Sequence, residues 1–387
     1  MKFELLLVIS CLLIISCTQP APETAVLDKN TKDSIHPNNL NQQPGLGYEF
    51  ENNGKNDAPI LENTFTDTIL TDIEIAASDD LDLALKGSSR YLRTKKRTHQ
   101  LSETLTVTDI QIKKTIKAIK KWQAEENGNL SDFVKMYQLN GEDHRGNMHF
   151  TGYYIPVLQV RKKKDAVFKY PLYRKPSKSK GQLPTREEID SEGVLSNKGL
   201  EIAYSDNLLE NYVMQVQGSG LVEYEDGSRK LLSFGGKNGH GYKSLGKYLV
   251  AQGHVPADKI SLTTIRAFMT KNPDSLETLL NLNPSYIFFH ESNSKPSGAA
   301  GVPLVAKHSV AVDRKQIPLG SILLGEVPVL DEKGALIGHE FRILTAHDVG
   351  GAIKEGHIDF FSGIGQTGED VANALHHYGR IWYLVAK

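Results

Sequence analysis

The spacing of apolar and polar positions changes several times along this chain. An apolar run, Leu5-Leu-Leu-Val-Ile-Ser-Cys-Leu-Leu-Ile-Ile15, opens it behind a single Lys. From Thr18 to about Thr64 the chain is rich in Asn, Thr, Pro, Asp and Gln, with few large apolar residues. Such a stretch cannot bury enough surface to fold. Between residues 65 and 100 the pattern is ambiguous: Leu81, Leu83 and Leu85 alternate, and a basic run, Arg93-Thr-Lys-Lys-Arg97, reads as a solvated face. Behind the capping Thr108-Asp109, the spacing of Ile112, Ile116, Ile119 and Trp122 predicts a helix. After Gly128-Asn129, Leu130, Phe133, Val134 and Tyr137 predict a second. Strand texture follows at Phe150–Val160, Ala166–Tyr173, Tyr212–Gln217 and Leu221–Tyr224, with a hairpin signal at Glu225-Asp226-Gly227. Helical segments are predicted over Gly241–Gln252, Ser261–Thr270 and Asp274–Leu282. Strands return at Tyr286–Phe289, Ser309–Val312, Ser321–Leu324, Phe341–Ala346 and Arg380–Val385. The pattern predicts a mainly β (α+β) protein with helices at its start and in an insertion.

Composition sharpens this at the N-terminus. At 387 residues the chain has room for two or three domains. A net charge of -1 gives no electrostatic argument for a nucleic-acid partner. The opening apolar run is too short to span a bilayer and reads as a signal peptide. It ends at Ile14-Ile-Ser-Cys17, the pattern of a bacterial lipoprotein signal; Cys11 has the same local pattern behind too short a run. An ordinary secretory signal is the alternative. The chain has only two cysteines, so acylation of Cys17 after cleavage leaves no disulfide, cysteine metal site or catalytic thiol. Thr18 in place of Asp points, by likeness to Gram-negative lipoproteins, to the outer membrane. The tether that follows would span roughly 35–40 Å.

Candidate chemistry centres on Asp348-Val-Gly-Gly-Ala-Ile-Lys-Glu-Gly-His-Ile-Asp359, where glycines let the chain turn between two carboxylates. Turn-capping Asp residues would explain the spacing equally well. The 13 histidines show no zinc-protease spacing, and His376-His377 would point apart on a helix. Ser219, in Gln217-Gly-Ser-Gly220, lacks a nucleophile-elbow context. No nucleotide-binding fingerprint is present. That leaves Asp313, Asp348 and Asp359 as candidate acid/base residues. Tyr153, Tyr154, Gln215, Gln217 and Asn238 are residue types that line carbohydrate grooves.

A series of motifs runs in order: Phe150-Thr-Gly-Tyr-Tyr-Ile-Pro156-Val, Leu183-Pro-Thr-Arg186, Gln215-Val-Gln-Gly-Ser-Gly220, Gly236-Lys-Asn-Gly-His240, Asn283-Pro-Ser-Tyr-Ile-Phe-Phe289, Gly301-Val-Pro-Leu, Val312-Asp-Arg-Lys-Gln-Ile-Pro318 and Asp348-Val-Gly-Gly-Ala-Ile-Lys354 with Asp359. Together they resemble the membrane-bound lytic murein transglycosylase A family from about residue 105 onward. The resemblance implies a double-psi β-barrel of the three-aspartate type with a second β domain inserted. The implied organisation is a signal peptide (1–16), a lipidated tether (17–64), the first part of the catalytic domain with its helices (65–157), an inserted β domain with a helical segment (158–285), and the three-aspartate part (286–387).

The family's three aspartates map to Asp313, Asp348 and Asp359, with Asp359 as the single catalytic acid. Tyr153, Tyr154, Gln215, Gln217, Ser219, Asn238 and Lys354 are the expected substrate-binding residues. The sequence departs from the family over Gln366–His376, where Thr367-Gly-Glu-Asp370 and Asn373-Ala-Leu replace small residues, and His357 falls at a variable position. The implied reaction is non-hydrolytic cleavage of the β-1,4 bond between N-acetylmuramic acid and N-acetylglucosamine, leaving a 1,6-anhydromuramic end. Two alternatives stand beside it: a hydrolytic muramidase using Asp348 as base, and a non-catalytic peptidoglycan-binding lipoprotein. No metal or organic cofactor is implied. Expected partners are peptidoglycan glycan strands, the membrane through the lipid anchor, and proteins of cell-wall synthesis or division.

Overall fold

An eight-stranded sheet built from both ends of the described chain encloses the larger core, and a six-stranded sheet from its middle forms a second layer. The computed structural model describes residues 60–387 apart from 71–72, 77, 126–127, 178–180, 257–259, 333 and 352. The signal peptide, Cys17 and all but the end of the tether lie outside the described residues.

The first part comprises β1 (Phe65–Thr68), α1 (Leu81–Leu92), β2 (Thr98–Gln100), β3 (Thr106–Thr108), α2 (Asp109–Ala124), α3 (Leu130–Phe133), β4 (Val134–Leu139) and β5 (Met148–Ile155). The middle supplies β6 (Val157–Arg161), β7 (Tyr170–Tyr173), α4 (Arg186–Asp190), β8 (Glu201–Ser205), α5 (Leu208–Gln217), β9 (Gly220–Tyr224), β10 (Arg229–Lys237), α6 (Leu245–Ala251), α7 (Leu262–Lys271), α8 (Leu276–Asn281) and β11 (Ile287–Ser292). The chain returns through β12 (Ser309–Ala311), β13 (Ile322–Leu330), β14 (Leu336–Asp348), β15 (His357–Ile364), α9 (Gly365–Ala374) and β16 (His376–Ala386).

The large sheet runs β1-β4-β16-β13-β14-β12-β15-β5, and β5 pairs again with β16, so its last six strands close into a barrel. Two pairs of the barrel, β12 with β14 and β15 with β5, are parallel, and the others are antiparallel. This is the barrel with an inserted β domain that the motifs imply. Closure removes the exposed edges of those strands. Helix α2 seals one side: Thr108 and Gln111 form a capping box, and Ile112, Ile116 and Ile119 join the barrel core with Trp382 and Leu384. Within the barrel, Arg380 on β16 donates to Glu326 on β13 at 2.7 Å, both buried. The inserted sheet runs β11-β10-β9-β6-β8-β7 and has a core of its own. Its edge strand β11 carries it to Ser292.

Three predicted elements differ from the observed ones. Tyr212–Gln217, read as a strand, is the second half of α5. The Asn207 side chain caps the backbone N–H groups of Leu209 and Glu210, and Gly218 ends the helix in the left-handed region at φ 79°. The stripe from Leu130 to Tyr137 is helical only as far as Phe133. From Val134 onward burial alternates, because β4 is held between β1 and β16. The alternating Leu81, Leu83 and Leu85 lie on helix α1, whose buried face takes Leu81 and Leu85 with Ala84, Ser88 and Leu92 and leaves Leu83 exposed.

Candidate active site

Strands β5 and β15 run parallel and in register, which builds a three-rung ladder of side chains. His149 stands opposite His357, Thr151 opposite Asp359, and Gly152 and Tyr153 opposite Phe360 and Phe361. Residues two apart share a face, so each strand offers its first two functional groups to one side. On the first rung the rings stack at 4.9 Å with an interplanar angle of 21°. On the second, Thr151 Oγ1 lies 2.7 Å from Asp359 Oδ1. On the third, the rings of Tyr153 and Phe361 lie 5.2 Å apart. Asp359 is fully buried at 0% exposure.

Strand β12 brings in the other two aspartates. Ala311 pairs with Asp348 on one side and with Asp359 on the other. Two strand spacings therefore separate the two aspartate backbones, about 10 Å. Asp313 lies two residues beyond that shared partner. Asp348 is tightly held: Oδ1 accepts the backbone N–H groups of Ala299 at 2.8 Å and Val349 at 2.9 Å, and Oδ2 accepts the Tyr153 hydroxyl at 3.2 Å. Burial nevertheless dominates and pushes its carboxyl up to about 6. The loop that donates from Ala299 can lie this close because residue 298 is glycine; a Cβ there would meet the His347 carbonyl oxygen at 2.5 Å. Burial, with the nearby charges of Asp348 and Asp359, holds the Tyr153 phenol well above its usual range, so it remains a donor. Asp313 serves the backbone, accepting from Lys315 N–H at 3.0 Å and Glu355 N–H at 3.3 Å. It thereby ties its own loop to the segment between Asp348 and Asp359.

The remaining expected residues are dispersed. Gln215 accepts from buried Arg186 at 2.7 Å, and Asn238 donates to the carbonyls of Pro184 and Pro284. Gln215 spends its amide oxygen, and Asn238 its amide nitrogen and oxygen, inside the inserted domain. Gln217 is buried, and its Oε1 has no hydrogen-bond partner among the described residues. Ser219 is half-buried just past the end of α5, and Lys354 is exposed beside the Asp348–Asp359 turn.

Tyr154 faces away from the ladder, into a cavity of about 420 Å³ at the junction of barrel and insert, shared with Gln159, Glu210, Glu223, Gln366 and Glu369. None of the three aspartates lines that cavity. Across the junction Arg266 on α7 pairs with Glu210 on α5 at 2.6 Å and reaches Glu369 on α9. Among the described residues no group of three His, Cys, Asp or Glu side chains is arranged to hold a metal.

Sequence reading missed Thr151 and His357. The signal was the period-two pattern His149-Phe-Thr151-Gly-Tyr153 and His357-Ile-Asp359-Phe-Phe361, which puts polar groups on one face of each strand. Only the register reveals that the two faces meet.

A closed barrel that buries one carboxylate beside a hydroxyl, and a second within a cradle of donors, belongs to the three-aspartate barrel class. Residues 149–290 match the MltA specific insert domain and residues 308–385 match the 3D domain. The chain is 43% identical over 274 residues to the membrane-bound lytic murein transglycosylase A of Escherichia coli K12, covering 69% of this chain and 74% of that protein. It is 40% identical over 267 residues to the Vibrio cholerae protein of the same name, covering 68% and 72% respectively. The crystal structure of E. coli MltA with bound chitohexaose superposes with a TM-score of 0.75 at 34% identity, over 86% of this chain and 97% of that one. The chain belongs to the membrane-bound lytic murein transglycosylase A family.

Proposed function

We infer that this protein is a peptidoglycan lytic transglycosylase that uses Asp359 as acid and then as base. The observation that carries the reading is the placement of Asp359, buried on Thr151 and across β12 from Asp348. In the first step protonated Asp359 donates to the glycosidic oxygen as the bond from muramic C1 breaks. In the second the resulting carboxylate takes the proton of the muramic C6 hydroxyl while that oxygen bonds to C1. No water is consumed, and the C6 hydroxyl proton restores Asp359 to its starting protonated form. The nucleophile is intramolecular, which gives it a high effective molarity. Asp348 already accepts three hydrogen bonds. That arrangement suits a fixed negative charge near the reacting centre better than a base that must bind and activate water, and it favours the transglycosylase over the hydrolase. Asp313 supports the turn between them.

Digestion of purified murein tests this. Released muropeptides one water lighter than hydrolytic fragments are expected; full-mass reducing ends would assign a hydrolase, and no release a binding protein.

Cys17, in this reading, carries lipid and anchors the chain to the outer membrane with the barrel facing the periplasm. Among the described residues no helix is long and apolar enough to cross a membrane. The relatives' names describe membrane-bound proteins, and the Ile14-Ile-Ser-Cys17 motif supports a lipid as the anchor. Cys17→Ser is expected to move the protein into the soluble periplasmic fraction. Retention in the membrane would rule out the lipid at that position.

A further inference from the structure

Thr151 stands between two partners and has one proton to give. Its Oγ1 lies 2.7 Å from Asp359 Oδ1 and 2.8 Å from His357 Nε2, and all three residues are buried. A hydroxyl carries one donor and two acceptor lone pairs, so there are two arrangements in which Thr151 donates along the row. In the first, His357 Nε2–H donates to Thr151 and Thr151 donates to Asp359 Oδ1. In the second, Asp359 Oδ1–H donates to Thr151 and Thr151 donates to an unprotonated His357 Nε2. The second directs the acid proton away from the glycan, into the protein.

We propose that His357, acting through Thr151, is a positioning residue that selects the Asp359 oxygen serving as acid and base. With its proton on Nε2, His357 orients the Thr151 hydroxyl toward Oδ1. The transferable proton of Asp359 then resides on Oδ2. After that proton leaves, Thr151 continues to donate to Oδ1, and Oδ2 receives the proton from the C6 hydroxyl. One oxygen gives and takes, and the carboxyl does not rotate between steps. The His357 ring is held for this by its stack on His149, whose Nε2 is 3.0 Å from Nδ1 of the exposed His376. Burial, followed by the neighbouring histidines, pulls the His149 imidazole down to about 2, so a neutral ring lies against His357. Other titratable groups around this cluster, among the described residues, include Glu142, His377, Tyr378 and Tyr153. The proposal rests on Asp359 being the acid, and the test separates the two claims.

The test measures kcat, KM and melting temperature on murein for full-chain variants. Thr151→Val and His357→Phe are each expected to lower kcat by about 10- to 100-fold with KM little changed, the size of one hydrogen bond to an ionised group. His357→Gln should recover most of the loss, because its amide N–H reaches the position of Nε2. The double variant T151V/H357F should be no slower than T151V alone, since His357 acts only through the hydroxyl. Wild-type kcat in His357→Phe overturns the proposal. So does a failure of His357→Gln to recover turnover, or additive losses in the double variant. Asp359→Asn, run in parallel, tests the underlying reading: if it retains turnover the acid assignment falls, whereas an inactive Asp359→Asn beside a fully active His357→Phe overturns only the role of His357.

Discussion

Tyr153 donates its phenolic hydroxyl to Oδ2 of Asp348 across 3.2 Å, joining the face of β5 that carries Thr151 to the carboxylate at the end of β14. This bond stabilises the charged form of Asp348 and opposes the upward push of burial. In Tyr153→Phe the Asp348 carboxyl should therefore titrate further above about 6. Carbon NMR titration of the Asp348 carboxyl checks this; an unchanged or lower midpoint contradicts it.

The same carboxyl makes stability depend on pH with a definite sign. Its folded value of about 6 lies above the usual 3.8, so the native state holds its proton more tightly than the unfolded chain. That contribution is fully present at pH below the usual value and is lost as pH rises through the folded one, by up to about 3 kcal/mol. Asp348→Asn keeps an acceptor for Ala299 and Val349 and should remove this slope. Urea denaturation on both sides of the window measures it, and an identical slope in the variant would count against the assignment.

The ion pair between Glu326 and Arg380 is buried in the barrel wall. Glu326→Leu would leave the guanidinium without its carboxylate and should cost about 3–5 kcal/mol in denaturant unfolding. A loss under about 1 kcal/mol would mean the pair behaves as a surface contact.

Arg266 connects the insert to the barrel through Glu369 while remaining paired with Glu210. Glu369→Ala should free α9 from α7 at a stability cost on the order of 1 kcal/mol, since the site is part-exposed. Because Glu369 and its partner's other anchor, Glu210, both line the cavity at the junction, KM for murein should rise more than kcat falls. Steady-state clearing of murein suspensions checks this, and an unchanged KM would dissociate the bridge from binding.

Much of the barrel was legible because strand alternation and helix periodicity are local properties. Ile112, Ile116, Ile119 and Trp122 announce α2, and Glu225-Asp226-Gly227 announces the turn between β9 and β10. Val213-Met-Gln-Val216 suits a strand by propensity, yet capping by Asn207 and Gly218 makes it helical. The three aspartates could be named from their motifs. Their neighbours could not, because Thr151 and Asp359 are 208 residues apart and meet only through the register of a parallel pair. Gln215 and Asn238 show the converse: residue types suited to a sugar groove are used to hold the insert together.

Murein digestion in heavy-oxygen water, comparing the native enzyme with Asp359→Asn, addresses the central claim most directly. The native enzyme should release 1,6-anhydromuropeptides that carry no heavy oxygen at C1, and Asp359→Asn should lose about 10²- to 10⁴-fold in rate while still binding murein. Heavy oxygen at C1 of the native products, or undiminished turnover by Asp359→Asn, would contradict the account.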